Sequence, residues 1–385
     1  MIVKIQQTEN TDISSWEISN IVSSLSCYDY KTKLLDNMTS AFSDNIDLGK
    51  LIIFDKSFEV NKRYTNLGVI NINSIEGVLS IYAMGKPRSL FFNYKYDEMN
   101  LLFRYYDKCR SELYKSRTRV YTKNDMARVV IADMSVREKV RLIKDQISDQ
   151  VNDYEHEQNE LGETLDHTNL LERISLIEDE FLNEASQFEG LEIARKGYEE
   201  CILEGVEYRE MTGPQQDYFT NRFVGFFKFF DQMARPVLAL ERNDNRTLDI
   251  LKLNHINRNM RDDDVFKVTE MQHNSPVALA ISAGISLGIL LKYYFESRKL
   301  AKEFELLEAE NADLASTERE RFDSMLQYLT DNNVDSINTL INSIENQHLK
   351  QQIKNSYNSN VDKGRKILRR YKLDNRSVTL ETAVE

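Results

Sequence analysis

The sequence predicts a predominantly α-helical α+β protein, and three observations carry that prediction. Proline and glycine are scarce, at 4 and 13 of 385 residues, which favours long uninterrupted helices. Apolar residues recur at spacings of three and four through most of the chain after Ser135. Runs of β-type residues are short and gather before Tyr121, with a second small group between Val237 and Met271. The expected architecture is an N-terminal antiparallel sheet with helices, long central helices, and a capped apolar helix that continues into a short coiled coil.

Residues 1–134 read as an α+β domain. Trp16, Ile18, Ile21, Val22 and Leu25 fall at helical spacing, and a second helix follows through Leu34, Leu35 and Met38. Strands are predicted at 50–54, 68–72, 78–84 and 89–94, with a Lys86-Pro87 turn between the last two. Asp97 opens a helix through Leu101, Leu102, Tyr105 and Leu113. Residues 117–122 and 127–133 predict a hairpin around Lys123-Asn124-Asp125.

Residues 135–235 read as an acidic helical arm or bundle. Ser135 and Glu138 have capping-box spacing, and Val140, Ile143, Ile147, Val151 and Tyr154 supply the apolar stripe behind them. Leu170, Ile174, Ile177 and Phe181 continue at the same spacing. About 20 acidic residues face four basic ones between Asp145 and Glu210, so this surface is expected to be solvated or to meet a basic partner. Thr212-Gly213-Pro214 restarts a helix in which Phe219, Phe223, Phe226 and Phe230 line one face. Phe227 and Phe229 widen that stripe, which makes it a packing surface and a candidate partner surface.

Residues 236–274 predict a small β meander, turning at Asn243-Asp244-Asn245. Residues 275–329 then predict a single long helix. Ser275 is placed to cap it and Pro276 to occupy its first position, where a missing N–H is harmless. Leu287 and Leu291, followed by a heptad seam of Leu300, Phe304, Leu307, Asn311 and Leu314, are the expected self-association residues. The uncharged run 276–291 is shorter than the roughly 20 residues that cross a bilayer, although extension to 295 past Lys292 reaches that length. Residues 330–385 read as a helical, basic C-terminal tail. Lys363, Arg365, Lys366, Arg369 and Arg370 are candidate anion contacts, and the chain beyond Asp374 is expected to be loosely ordered.

The chemical motifs are sparse. The sequence contains no phosphate-cradling glycine loop, nucleophile elbow or HExxH pair. His156, His167, His255, His273 and His348 are scattered, and the acidic runs 178–180 and 262–264 lack an accompanying lysine or glycine motif. Catalytic, cofactor-binding and metal residues are therefore expected to be absent, with no cofactor. Cys27, Cys109 and Cys201 are widely spaced, which argues for a reducing cytoplasm over a disulfide framework. A net charge of −12 disfavours free nucleic acid as a partner for the whole chain. The strongest local signal of that kind is 86–128, where 11 lysines and arginines interleave with aromatic rings. The richness in Asn, Ile, Lys and Tyr suggests an AT-rich bacterial or phage genome.

These readings predict a non-enzymatic, self-associating scaffold, sensor or regulatory protein, most simply a cytoplasmic homo-oligomer with a protein partner. The alternative is a membrane-acting effector that inserts residues 276–295 into a bilayer on triggering. An unrecognised nuclease or phosphotransferase is a third class, and it requires dependence on a divalent metal.

Overall fold

The computed structural model describes residues 2–7, 13–43, 47–57, 69–118, 120–160, 168–252, 267–272, 278–282, 344, 346–371 and 373–379. The protein is predominantly helical with antiparallel sheets, the α+β class expected. Its chain forms two compact units: a terminal unit of 1–46 with 254–385, and a central unit of 47–253. The segments 47–134, 135–235 and 236–253, distinct in composition, all lie inside the central unit.

In the terminal unit, strand β1 (Ile2–Gln7) precedes helix α1 (Ser15–Ser43), a single helix where the sequence suggested two. Ser14 and Glu17 cap it reciprocally: the Glu17 carboxylate accepts from the Ser14 N–H at 2.9 Å, and Ser14 Oγ accepts from the Glu17 N–H at 3.2 Å. Ile18, Ile21, Leu25, Leu34, Leu35 and Met38 are buried along it, while Trp16 is 74% exposed. The last helix of this unit, Gln347–Arg370, is capped by Asn346, whose side chain accepts from the Leu349 N–H. It packs on α1 through polar contacts. Tyr357 donates to the Asp36 carboxylate, and Asn360 Nδ2 donates to the Tyr28 carbonyl at 3.1 Å and Thr32 Oγ1 at 2.9 Å.

The strands of the terminal unit form an antiparallel sheet in which β1 is flanked on both sides. One neighbour is the strand Ala278–Ser282, with Val3 opposite Ile281, and beyond it lies the strand Lys267–Gln272. The other neighbour is Leu373–Thr379, with Gln7 opposite Leu373 and Ile2 opposite Thr379. Two expectations are corrected here. The helix expected from Ser275 is interrupted, because 278–282 is a strand. A short apolar run has no period that separates a buried strand from a helix, and the unpaired edge of β1 decides the matter. The chain beyond Asp374 is likewise ordered as a strand through Thr379, since β1 supplies the other backbone partner. The rest of the expected long helix, including Leu287, Leu291, Leu300, Phe304, Leu307, Asn311 and Leu314, lies outside the described residues.

The central unit is built on a five-stranded antiparallel sheet. In chain order its strands are β2 (Leu51–Ser57), β3 (Ile70–Asn71), β4 (Pro87–Ser89), β5 (Pro236–Glu241) and β6 (Thr247–Ile250). Their spatial order is β3-β6-β5-β2-β4, which puts β4 at one edge. The β2 run of Leu51, Ile52, Ile53 and Phe54 is wholly buried, as fits a strand covered on both faces. The β5–β6 turn forms where the sequence placed it. Asp244 Oδ1 accepts from the Arg246 and Thr247 N–H groups at 2.9 and 3.0 Å, and those bonds hold its carboxyl below the ordinary value.

Two predicted strand regions are helices instead. Residues 78–84 belong to α2 (Ile75–Met84), capped by Ser74 Oγ on the Gly77 N–H. Val78, Ile81 and Met84 are buried at helical spacing, so the β-branched composition misled while the period was right. Gly77 permits the helix to approach the preceding turn, since a Cβ there would stand 1.6 Å from the Asn71 carbonyl oxygen. The expected hairpin at 117–133 is replaced by α4 (Lys123–Ile131). Its Thr122 and Asp125 form a capping box, so the presumed turn residues are the first helical turn. Of the strand expected at 89–94 only Ser89 lies in a strand, at the end of Pro87–Ser89, and Tyr94 already begins the next helix.

That helix, α3 (Tyr94–Lys115), is the centre of the unit. Tyr96, Leu101, Leu102, Phe103, Tyr105 and Cys109 on it are completely buried. Around it lie α5 (Val136–Glu160), α6 (Thr168–Ser186) and α7 (Phe188–Leu203). The Ser135–Glu138 capping box forms as expected at the start of α5. The basic helix docks onto the acidic arm that follows it: Arg104 pairs with Glu184, Lys108 with Glu180 at 2.6 Å, and Arg173 with Glu112 at 2.9 Å. These pairs are largely solvated and each contributes little, on the order of 0–1 kcal/mol, so the buried stripe of Leu170, Ile174 and Phe181 carries the docking.

Candidate functional site

The aromatic helix brings the site together. It comprises α8 (Gly213–Tyr218), a π-helical turn (Phe219–Val224) and α9 (Gly225–Gln232). Most of the expected partner surface on it is buried within this unit. Phe223, Phe226 and Phe230 are fully buried, and Phe219 stacks on Tyr198 and Phe223 within the same unit. Such rings bury too much apolar area to stand in water beside an unfilled core. The π-helical turn presents two adjacent residues to the segment after β4. Phe223 meets Phe91 at 5.9 Å between ring centroids, and Arg222 reaches Ser89 and Asp97. Single π-helical turns recur at functional sites because they take side chains out of α-helical register.

Arg222 opens onto a cavity of about 380 Å³ beside the β4 edge of the sheet. Four cationic side chains line it: Lys86, Arg88, Arg104 and Arg222. Three carboxylates share the lining, namely Asp55, Asp97 and Glu184. Phe188, Leu191, Phe229 and Ile53 supply apolar wall. The elements that place these groups are local and rigid. Gly85, at φ 130°, turns the chain from α2 into β4, and its neighbour Lys86 is fixed by an N–H bond to Asp55 Oδ1 at 2.8 Å. Asp97 lies in the first turn of α3, where its carboxylate accepts from the Asn93 N–H at 3.0 Å.

Three of the four cations are compensated. Arg222 Nη2 donates to Asp97 Oδ2, and to Ser89 Oγ at 2.9 Å. Arg104 makes a two-pronged pair with Glu184, while its Nε donates to Asn100 Oδ1 at 2.8 Å. Lys86 Nζ lies 2.8 Å from Asp107 and 3.9 Å from Asp55. Arg88 differs. Its guanidinium lies over the Phe229 ring, 5.0 Å from the centroid, and has no ion pair or hydrogen-bonded side chain among the described residues. Burial lowers its pKa, and the nearby Arg222 adds to that lowering. Arg222 itself retains a buried Nε with no acceptor.

The basic, aromatic stretch 86–128 thus has a double fate. Phe91, Phe92, Tyr96, Phe103, Tyr105, Tyr106 and Tyr121 are core, whereas Lys86, Arg88 and Arg104 line the cavity. The candidate anion contacts near the C-terminus belong to the terminal unit. Lys363, Arg365, Lys366, Arg369 and Arg370 occupy the final two turns of the last helix of the terminal unit, where Arg370 lies over Tyr371 at 5.5 Å. Among the described residues, no group of three or more His, Cys, Asp or Glu side chains is arranged to hold a metal. His156 and His348 sit on separate helices, and His167, His255 and His273 lie outside the described residues. The three cysteines carry free thiols, and burial pushes Cys109 up to about 12, far from a reactive thiolate. Among the described residues no helix is long and apolar enough to cross a membrane.

Compared with protein-family models, with curated proteins and with solved structures, this chain matches none.

Proposed function

We propose that the chain is a non-enzymatic sensor or regulatory protein whose central unit takes a small ligand and which self-associates to act on other macromolecules. The observation that carries this reading is the cavity at the β4 edge. Its volume is in the ligand-pocket range of roughly 300–1,000 Å³, and it mixes apolar wall with a few fixed polar groups. Its charged groups are tied to separate elements, Asp97 to α3, Glu184 to α6 and Arg222 to the π-helical turn, so occupancy bears on how those elements pack. Assembly is assigned to the seam from Leu300 to Leu314 on its heptad spacing. Free thiols accord with a cytoplasmic setting.

The test is a thermal-shift screen of the full chain against small acids, phosphates and neutral compounds, repeated on Leu191→Trp, which fills the cavity wall. A ligand that binds the native state raises Tm by mass action, and that rise should vanish in L191W. A screen with no hit, or with hits equal in both proteins, overturns the ligand-binding reading. Light-scattering mass across concentration tests assembly: a multimer that Leu307→Asp converts to a folded monomer supports it, and a chain monomeric throughout refutes it.

A further inference from the structure

We infer that the cavity takes an organic phosphate, with the phosphoryl oxygens on Arg88 and the organic group against Phe188, Leu191 and Phe229. This rests on the ligand-binding reading above and adds the chemical class. The argument starts from charge. A partly buried guanidinium is retained beside two others, Arg222 and Arg104; Asp97 and Asp55 favour its charge through space, but neither forms an ion pair or hydrogen bond with it among the described residues. Taking a guanidinium partly out of water with no acceptor for its N–H fork is unfavourable, so an anion from outside the chain is the missing direct partner.

The type of anion follows from the donors. Arg88 offers a planar fork of N–H groups, and Arg222 has an Nε still lacking an acceptor. A carboxylate brings two oxygens and one charge, enough for one guanidinium. A phosphate monoester brings three terminal oxygens and nearly two charges, which suits neighbouring guanidinium groups whose carboxylate partners leave N–H bonds to spare. Asp55, Asp97 and Glu184 do not oppose this, since each already faces a cation. Inorganic phosphate would leave much of the 380 Å³ unfilled. The space left is walled by rings and by Leu191, which fit an apolar or aromatic substituent.

The test is calorimetric titration of the full chain with phenyl phosphate, inorganic phosphate and phenylacetate, using wild type, Arg88→Gln and Arg88→Lys. Phenyl phosphate should bind at least tenfold more tightly than phenylacetate and more tightly than inorganic phosphate. R88Q should lose tenfold or more while keeping or raising the melting temperature, because it removes an unpaired cation. R88K should fall between, having charge without the fork. Phenyl phosphate binding unchanged in R88Q would place the anion elsewhere and overturn the inference, as would failure of phenyl phosphate to bind. Equal binding of phenylacetate would overturn the phosphate assignment and leave the ligand-binding reading standing. That reading is decided separately by the L191W screen.

Discussion

Lys139 Nζ lies 3.0 Å from the Glu98 carboxylate, and both side chains are almost completely buried between α3 and α5. Lys139 also donates to the Val130 carbonyl at 2.9 Å, which ties α4 into the same contact. Removing one partner leaves a buried charge with no counterpart. Lys139→Met should therefore destabilise the protein by about 3–5 kcal/mol in denaturant unfolding, whereas Glu98→Leu combined with Lys139→Met should be near neutral. A double variant as unstable as the single one would mean that packing, and not charge, dominates this contact.

The same pair sets a pH dependence. Burial raises the Glu98 pKa above its ordinary 4.5, with Lys139 opposing. The folded state then holds this proton more tightly than the unfolded chain does. Glu98 favours folding below the unfolded pKa, and that contribution is lost as pH rises through the raised folded value. Glu98→Gln should flatten the stability profile just above pH 4.5, measured as the unfolding midpoint at successive pH values. An unchanged slope would assign the dependence to other carboxylates.

Phe226 is fully buried, whereas Leu203 is 87% exposed. Phe226→Ala should cost about 3–5 kcal/mol of stability through lost burial and the void it leaves. Leu203→Ser should stay within about 0.5 kcal/mol. If Phe226→Ala proved harmless but weakened a partner complex, the aromatic stripe would be a surface after all.

Truncation after Asp374 should uncover one edge of β1, since Asn375, Ser377, Val378 and Thr379 pair with it. Hydrogen exchange at the amides of residues 2–5 should quicken, and the truncated chain should aggregate more readily. Exchange that stays slow would show that the strand Ala278–Ser282 alone protects β1.

Much of the helical framework was legible in local pattern. Glu138 three residues after Ser135 marked the start of α5, and Asp244 marked the β5–β6 turn, because caps and tight turns are settled by neighbours in sequence. The helices α2 and α4 were missed for the opposite reason. Val78, Ile81, Val129 and Val130 have strand-type side chains, and the caps at Ser74 and Thr122 outweigh that preference. The strand at 278–282 was hidden because its partners, 2–6 and 267–272, are remote or ambiguous in sequence. The cavity was half legible. Three of its cations fall in the basic stretch 86–128, but nothing local tells that Arg222 joins them or that Glu184 and Asp97 bond to Arg104 and Arg222 and not to Arg88.

The pairing of β1 with the strand Leu373–Thr379 also sets an order of events during synthesis. The central unit is one continuous stretch and can fold as soon as residue 253 has left the ribosome. β1 is made before the central unit but must wait for the last of its partners until residue 379 is made, a delay of roughly 20–70 s at 5–20 residues per second. For most of that interval, until residue 370 is made, α1 lacks the complete helix Gln347–Arg370. A segment made before the central unit is thus secured only after it, and a nascent-chain chaperone has a long opportunity there.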